Sequence, residues 1–341
     1  MKKSLGIILV LLIFLATMGN AQSTAGFHVV KKILVGGEGG WDYLTLNAPT
    51  HQLFVSHATK VVVINTDSDS VIGEIPKTEG VHGIAVANEL GRCFISNGRA
   101  NTVSIVDLKT LKLLDTVAVG KNPDAILFDP FSQCVLTFNG RSNDATILDA
   151  KKGTVLSTLP LGGKPEFSVT DGKGRIFVNI EDKNEIVCID AKEMKVAAHW
   201  PIKPGEEPSG LAFDVKNKRL FSVCGNKLMV VVDAENGNVV TTLPIGDGVD
   251  GCAFDPGAGL AFSSNGDGTM TVVKEESPTK FSVVENAPTQ TRARTITVDP
   301  ATHTLYLPSA EFGPAPAPTP ERPRPRPVMV PNTFCILKVQ K

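Results

Sequence analysis

Seven times along the chain a short apolar stretch ends in Asp or Asn. The seven end points, Asn47, Asn88, Asp129, Asp171, Asp214, Asp255 and Asp299, lie 41, 41, 42, 43, 41 and 44 residues apart. So regular a period over most of 341 residues means one supersecondary unit repeated, rather than the two or so independent domains that length alone would suggest. The stretches themselves read alike, as in Ile84-Ala85-Val86-Ala87-Asn88, Ile126-Leu127-Phe128-Asp129 and Leu211-Ala212-Phe213-Asp214.

Each copy continues in the same order. A second run follows a turn (Cys93-Phe94-Ile95-Ser96, Leu220-Phe221-Ser222-Val223). After a polar loop comes a third, such as Ile105-Val106-Asp107 or Val231-Val232-Asp233, and a fourth, such as Leu113 to Val119. The runs are short, rich in Val, Ile and Phe, and bounded by Gly, Asn, Asp and Pro, which is the pattern of strands. Nothing beyond the N-terminal segment shows a sustained helical period. Four short antiparallel strands at this spacing are propeller blades, so the expected fold is all-β, a seven-bladed β-propeller of four-stranded blades.

The seventh copy supplies three runs (Thr295–Val298, Thr304–Leu307, Phe334–Val339) and then stops. Its missing fourth strand is expected at the other end of the chain, in residues 27–36, where His28-Val29-Val30-Lys31-Lys32-Ile33-Leu34-Val35-Gly36 matches the fourth run of the second copy. Pairing the two ends would close the ring and remove two exposed sheet edges. A single propeller over 27–341 follows.

The stretch Phe94-Ile95-Ser96-Asn97-Gly98-Arg99-Ala100-Asn101-Thr102-Val103-Ser104-Ile105-Val106-Asp107, running on to Val119-Gly120-Lys121-Asn122-Pro123, closely resembles the YVTN repeat of YncE-like propellers. Weaker versions stand in the other copies, for instance Phe138-Asn139-Gly140-Arg141-Ser142-Asn143. The resemblance covers essentially all of the chain after its N-terminal segment. It implies the propeller fold and a periplasmic or surface binding protein, with DNA binding in some members. It does not imply a reaction.

Residues 1–21 read as a cleavable secretory signal. Lys2 and Lys3 precede an apolar run from Leu5 to Met18, and Gly19-Asn20-Ala21 offers small residues before a cut ahead of Gln22. The run is shorter than the roughly 20 residues a spanning helix needs, so no integral membrane span is expected after cleavage. Removing the two lysines leaves 34 − 2 = 32 basic against 35 acidic side chains, a balance that argues against a nucleic-acid partner. Six scattered cysteines, Cys93, Cys134, Cys188, Cys224, Cys252 and Cys335, include no CxxC, haem or zinc spacing. They read as buried thiols, with one bridge, Cys224 to Cys252, left open in an exported protein. A monomer is expected.

If each first strand lines the channel, the residues two places before its first apolar position share one face: Asp42, His82, Asp124, Glu166, Ser209, Asp250 and Arg294. The loops between second and third strands add His57, Asn97 with Arg99, Asn139 with Arg141, and Asn265 with Asp267. The expected site is a polar funnel where carboxylates meet arginines. It suits a divalent cation such as calcium through Glu166, Asp250 and an asparagine, since hard cations take oxygen ligands. It suits equally an anionic or sugar-like ligand at Arg99, Arg141 and Arg294. Trp41 either floors a sugar site or packs at the ring closure. Gly36-Gly37-Glu38-Gly39-Gly40 is a joint, not a phosphate loop, because no Gly-Lys-Ser/Thr follows.

One segment breaks the period. Asp299 to Lys338 spans 39 positions, where equivalent points elsewhere lie 18 to 20 apart. The insertion 311–331 carries eight prolines and the run Glu321-Arg322-Pro323-Arg324-Pro325-Arg326-Pro327. Proline lacks the ladder donor, so an extended arm or lid on the funnel face is expected outside the sheet. Three function classes follow: a non-catalytic binding or scaffold propeller with a small-molecule or protein partner, a metal-dependent lactonase- or lyase-like enzyme, and a nucleic-acid binder.

Overall fold

A computed structural model describes residues 26–319, 325 and 327–341. The signal sequence read from residues 1–21, and most of the Arg-Pro run, lie outside the described residues. Within them are seven separate four-stranded antiparallel sheets. Blade 1 comprises Trp41–Asn47, Gln52–His57, Lys60–Asn65 and Ser70–Pro76. The innermost strands of blades 2 to 7 are Val81–Ala87, Pro123–Asp129, Pro165–Thr170, Pro208–Asp214, Gly251–Asp255 and Thr297–Asp299. The only helical elements among the described residues are three single turns, Ala48–Thr50, Asn88–Leu90 and Glu181–Lys183.

Closure is as the repeat predicts. His28–Leu34 pairs antiparallel with Cys335–Gln340, His28 opposite Gln340 and Leu34 opposite Cys335, so the two ends of the chain complete blade 7. Asp69 of blade 1 ties the joint to its neighbour, accepting from Lys31 Nζ at 3.0 Å and Lys338 Nζ at 2.9 Å, one lysine from each closing strand.

Burial is graded across each blade. The second strand of blade 1 is buried along almost its whole length, whereas its outermost strand, Ser70–Pro76, is largely exposed. A bulky residue recurs at the third place of every second strand: Phe54, Phe94, Leu136, Phe177, Phe221, Phe262 and Tyr306, each no more than 1% exposed. These side chains fill the gaps between neighbouring blades, and each fully buried one stabilises the ring by roughly 1.5–3 kcal/mol. All six cysteines are buried free thiols, so the Cys224–Cys252 bridge left open by the sequence does not form.

The Asp side chains that mark the repeat cap turns, whereas Asn47 and Asn88 bond to each other across blades 1 and 2. Asp129 Oδ2 accepts from Ser132 N at 2.9 Å, Asp214 Oδ1 from Lys216 N at 2.9 Å and Asp255 Oδ1 from Gly257 N at 2.9 Å. The acids closing the third strands do the same, Asp149 and Asp190 each accepting from backbone amides two and three places on. A carboxylate that replaces a missing backbone acceptor in a turn explains why these positions recur. They belong to the face opposite the funnel.

Candidate functional site

The innermost strands of blades 1 to 5 are bulged at the same place, between Trp41 and Leu44, Val81 and Ile84, Pro123 and Ile126, Pro165 and Ser168, and Pro208 and Leu211. A bulge leaves residues out of the ladder and re-aims their side chains. Here it turns Asp42, His82, Asp124, Glu166 and Ser209 towards the channel axis. Small polar side chains of the second strands hold the bulges. Ser96 Oγ accepts from Gly83 N at 2.8 Å and donates to Asp124 O at 2.5 Å across the boundary between blades 2 and 3. Asn179 Nδ2 donates to Ser209 O and Gly210 O, and Ser264 Oγ donates to Arg294 O at 2.6 Å. Thr295 Oγ1 closes the circle on Asp42 O at 2.7 Å.

The residues so aimed meet. His82 Nδ1 lies 2.6 Å from Asp42 Oδ2 and 3.6 Å from Asp124 Oδ1. Arg294 Nη1 donates to Asp250 Oδ2 at 2.6 Å, and Lys164 Nζ to Glu166 Oε1 at 2.7 Å. Lys164 also reaches Glu181. The His82 ring is pressed against Gly98, where a Cβ would stand 2.6 Å from its Nε2. Any side chain there would dislodge it.

Crowded, desolvated carboxylates resist ionisation. Burial, then the charge of Asp42, holds Asp124 well above the usual carboxylate range. Burial acts first on Glu166 and Asp250 as well, reinforced by Asp124 at Glu166 and by Asp42 and Asp124 at Asp250; Lys164 and Arg294 pull the other way. Burial alone would lower His82, but the hydrogen bond to Asp42 and the charges of Asp124, Asp42 and Glu166 raise it to about 9. The cluster therefore attracts positive charge. Beneath it Tyr43 crosses the channel to Phe167 of blade 4 and closes the funnel from below.

Above the cluster opens a cleft of about 570 Å³ whose walls include Trp41, Asp42, His82, Arg99, Arg141 and Arg294. Arg99 and Arg141 stand exposed at its rim. Of the residues expected at the site from sequence, Asp42, His82, Asp124, Glu166, Asp250 and Arg294 come together, with Arg99 and Arg141 above them.

Four others are placed elsewhere. Asn97, Asn139 and Asn265 are buried staples between second and third strands. Asn97 Nδ2 donates to Thr102 Oγ1 and Ser104 Oγ, Asn139 Nδ2 to Asp144 and Thr146, and Asn265 Nδ2 to Thr269 and Thr271. His57 is 1% exposed and stacked on Phe334 with ring centroids 4.1 Å apart, and both its ring nitrogens lack partners. His57, Asn97 and Asn139 point into the blades because the second strand continues one residue further than a loop reading of the sequence assumes, and Asn265 follows directly on the end of its strand. Glu166 and Asp250, the expected metal pair, each already hold a fixed cation. Lys164 and Tyr43 were missed. Lys164 sits two places before Glu166, a signal that was available; nothing local marks Tyr43 as a residue that spans the ring.

Trp41 takes the expected place at the ring closure. It packs on Phe334 at the closure, 5.1 Å between centroids, and also lines the cleft. The insertion in blade 7 starts at this rim: Phe312 lies 6.1 Å from Trp41 and pairs with Met329, with Gly313 N bonded to Val328 O at 2.9 Å. Its root is thus a short ladder paired with itself, outside the blade sheets.

No known family model matches the chain, and no curated protein is similar to it in sequence. Solved structures are similar in fold. A chain of the Kuenenia stuttgartiensis hydrazine synthase matches with TM-score 0.69 and 17% identity, covering 85% of this chain and 96% of that one. The RRP9 WD40 repeats match with TM-score 0.73 and 9% identity over 93% of this chain and 98% of that one. U3-55K matches with TM-score 0.72 and 9% identity over 91% and 98%. At such identities the likeness shows the fold, a propeller like those of WD40-repeat proteins, and nothing of the ligand.

Proposed function

We propose that the chain is an exported, non-catalytic binding propeller of the YVTN-repeat, YncE-like kind. Its funnel would receive a small polar ligand through a positively charged group, while Arg99 and Arg141 at the rim meet an anionic or hydroxyl-bearing part. The observation that carries this reading is the convergence of Asp42, Asp124, Glu166 and Asp250 under one cleft, with His82, Lys164 and Arg294 among them as the counter-charges that the described residues supply. A buried site with crowded carboxylates is stabilised by an added cation. Polar groups held by bulges on rigid strands need little reordering on binding, which lowers the cost of recognition.

Calorimetric titration of the mature protein with amino acids and amino sugars, set against their neutral and purely anionic analogues, tests the proposal. Binding by the cationic compounds, weakened at least tenfold by Asp250→Asn and by Arg141→Ala, is expected. Absence of binding across the panel, or binding indifferent to both substitutions, would overturn it. The N-terminal residue of the protein recovered from outside the cytoplasm tests export; Gln22 is expected there.

A further inference from the structure

Among the carboxylates of the funnel, Glu166 and Asp250 are each matched by a full cation at hydrogen-bond distance, Lys164 and Arg294. Asp42 and Asp124 share one imidazole. His82 Nδ1 has a single position for a proton, and Asp42 takes it at 2.6 Å; Asp124 Oδ1 stands off at 3.6 Å. That oxygen is buried and receives no hydrogen bond. Its burial is a cost unless something positive is seated beside it.

We infer that Asp42, His82 and Asp124 form a binding site for a divalent first-row transition metal of the zinc type. The inference rests on the funnel being a ligand site and names one ligand of it. The three donor atoms lie within 4.8 Å of one another. Tetrahedral zinc with bonds near 2.0–2.1 Å needs its donors about 3.4 Å apart, so small side-chain adjustments suffice. An imidazole with two carboxylates suits zinc and its neighbours better than calcium, which takes oxygen alone. Asp42, His82 and Asp124 come from successive blades at equivalent bulged positions, and Gly98 and Ser96 fix the ring of one and the backbone of another. Asp42 and His82 face the open cleft, which leaves coordination positions for water or a ligand group. On binding, His82 releases its Nδ1 proton to solvent and its lone pair goes to the metal, so one dication replaces one proton between the two carboxylates.

The test is zinc titration of chelator-treated full-length mature protein, followed by calorimetry in two buffers of different ionisation enthalpy and by elemental analysis after dialysis. One zinc per chain is expected, with proton release. Affinity should fall at least tenfold in His82→Gln and in the isosteric Asp124→Asn, and less than threefold in Asp250→Asn. Should His82→Gln misfold, Asp124→Asn alone decides. No zinc retained by the wild type, wild-type affinity in both triad variants, or calcium bound as tightly as zinc would each overturn the site. Cationic organic ligands bound by a protein that retains no zinc would leave the binding propeller standing and remove the metal from it.

Discussion

Tyr43 of blade 1 and Phe167 of blade 4 meet across the ring axis, their centroids 5.1 Å apart and their planes tilted by 56°. This contact divides the channel. Above it lies the charged funnel; below it a separate cavity of about 560 Å³ is walled mainly by apolar side chains such as Leu46, Ile126, Phe167 and Phe213. The carboxylates thus have an apolar floor, and that floor is part of why burial raises their affinity for protons.

Tyr43→Ala should remove the floor at a cost of about 3 kcal/mol, as for other large aromatic truncations in cores. Tyr43→Phe keeps the ring contact and should cost under half as much. Urea denaturation of both variants checks this, and equal midpoints would show that the contact carries no stability.

Ser96→Ala should cost about 1–3 kcal/mol, because it strands Gly83 N and Asp124 O, two backbone groups the hydroxyl serves at once. The midpoint should fall with the denaturant slope unchanged. The position of Asp124 depends on the same latch, so any funnel ligand should bind this variant more weakly.

The funnel should make chelator-treated protein less stable in alkali. His82 is raised in the fold to about 9, so its contribution is complete below its ordinary value near 6.5 and is lost as pH rises through 9. Asp124, Glu166 and Asp250 are raised too, so the fold holds more protons than the unfolded chain and loses stability in the same direction from weakly acid pH upwards. Melting temperatures measured between pH 5 and 9.5 should decline, and the decline should flatten when His82 and Asp250 are both replaced by neutral residues.

His57 should act in the opposite direction. Burial holds it down to about 4, so it is neutral at pH 7, and stability present above 6.5 is lost as pH falls towards 4. His57→Phe should preserve the stack on Phe334, raise stability by about 1 kcal/mol by removing two orphaned nitrogens, and abolish this acid-side loss. A variant as acid-sensitive as the parent would place the cause elsewhere.

Much of this was legible in the chain itself. Blade number, strand order and the closure of the ring by the N-terminal strand follow from the recurrence of Asn47 to Asp299, because each repeat carries its own alternation and its own turn acids. The inward ring of Asp42, His82, Asp124, Glu166, Asp250 and Arg294 could be counted off from the same register, since each sits at one fixed offset from an apolar strand.

Only the tertiary structure decided which of these groups touch. Asn97, Asn139 and Asn265 carry the repeat motif, yet their amides are consumed inside the blades. His57 occupies the position of Asn97 but lies buried on Phe334, a residue 277 positions away in the chain. Lys164 and Arg294 claim Glu166 and Asp250, which leaves Asp42, His82 and Asp124 as the group with charge to spare. The physical reason is range. Strand and turn preferences act over a few residues and repeat faithfully, whereas burial, charge pairing and contacts across the axis arise only once seven blades have closed on one another.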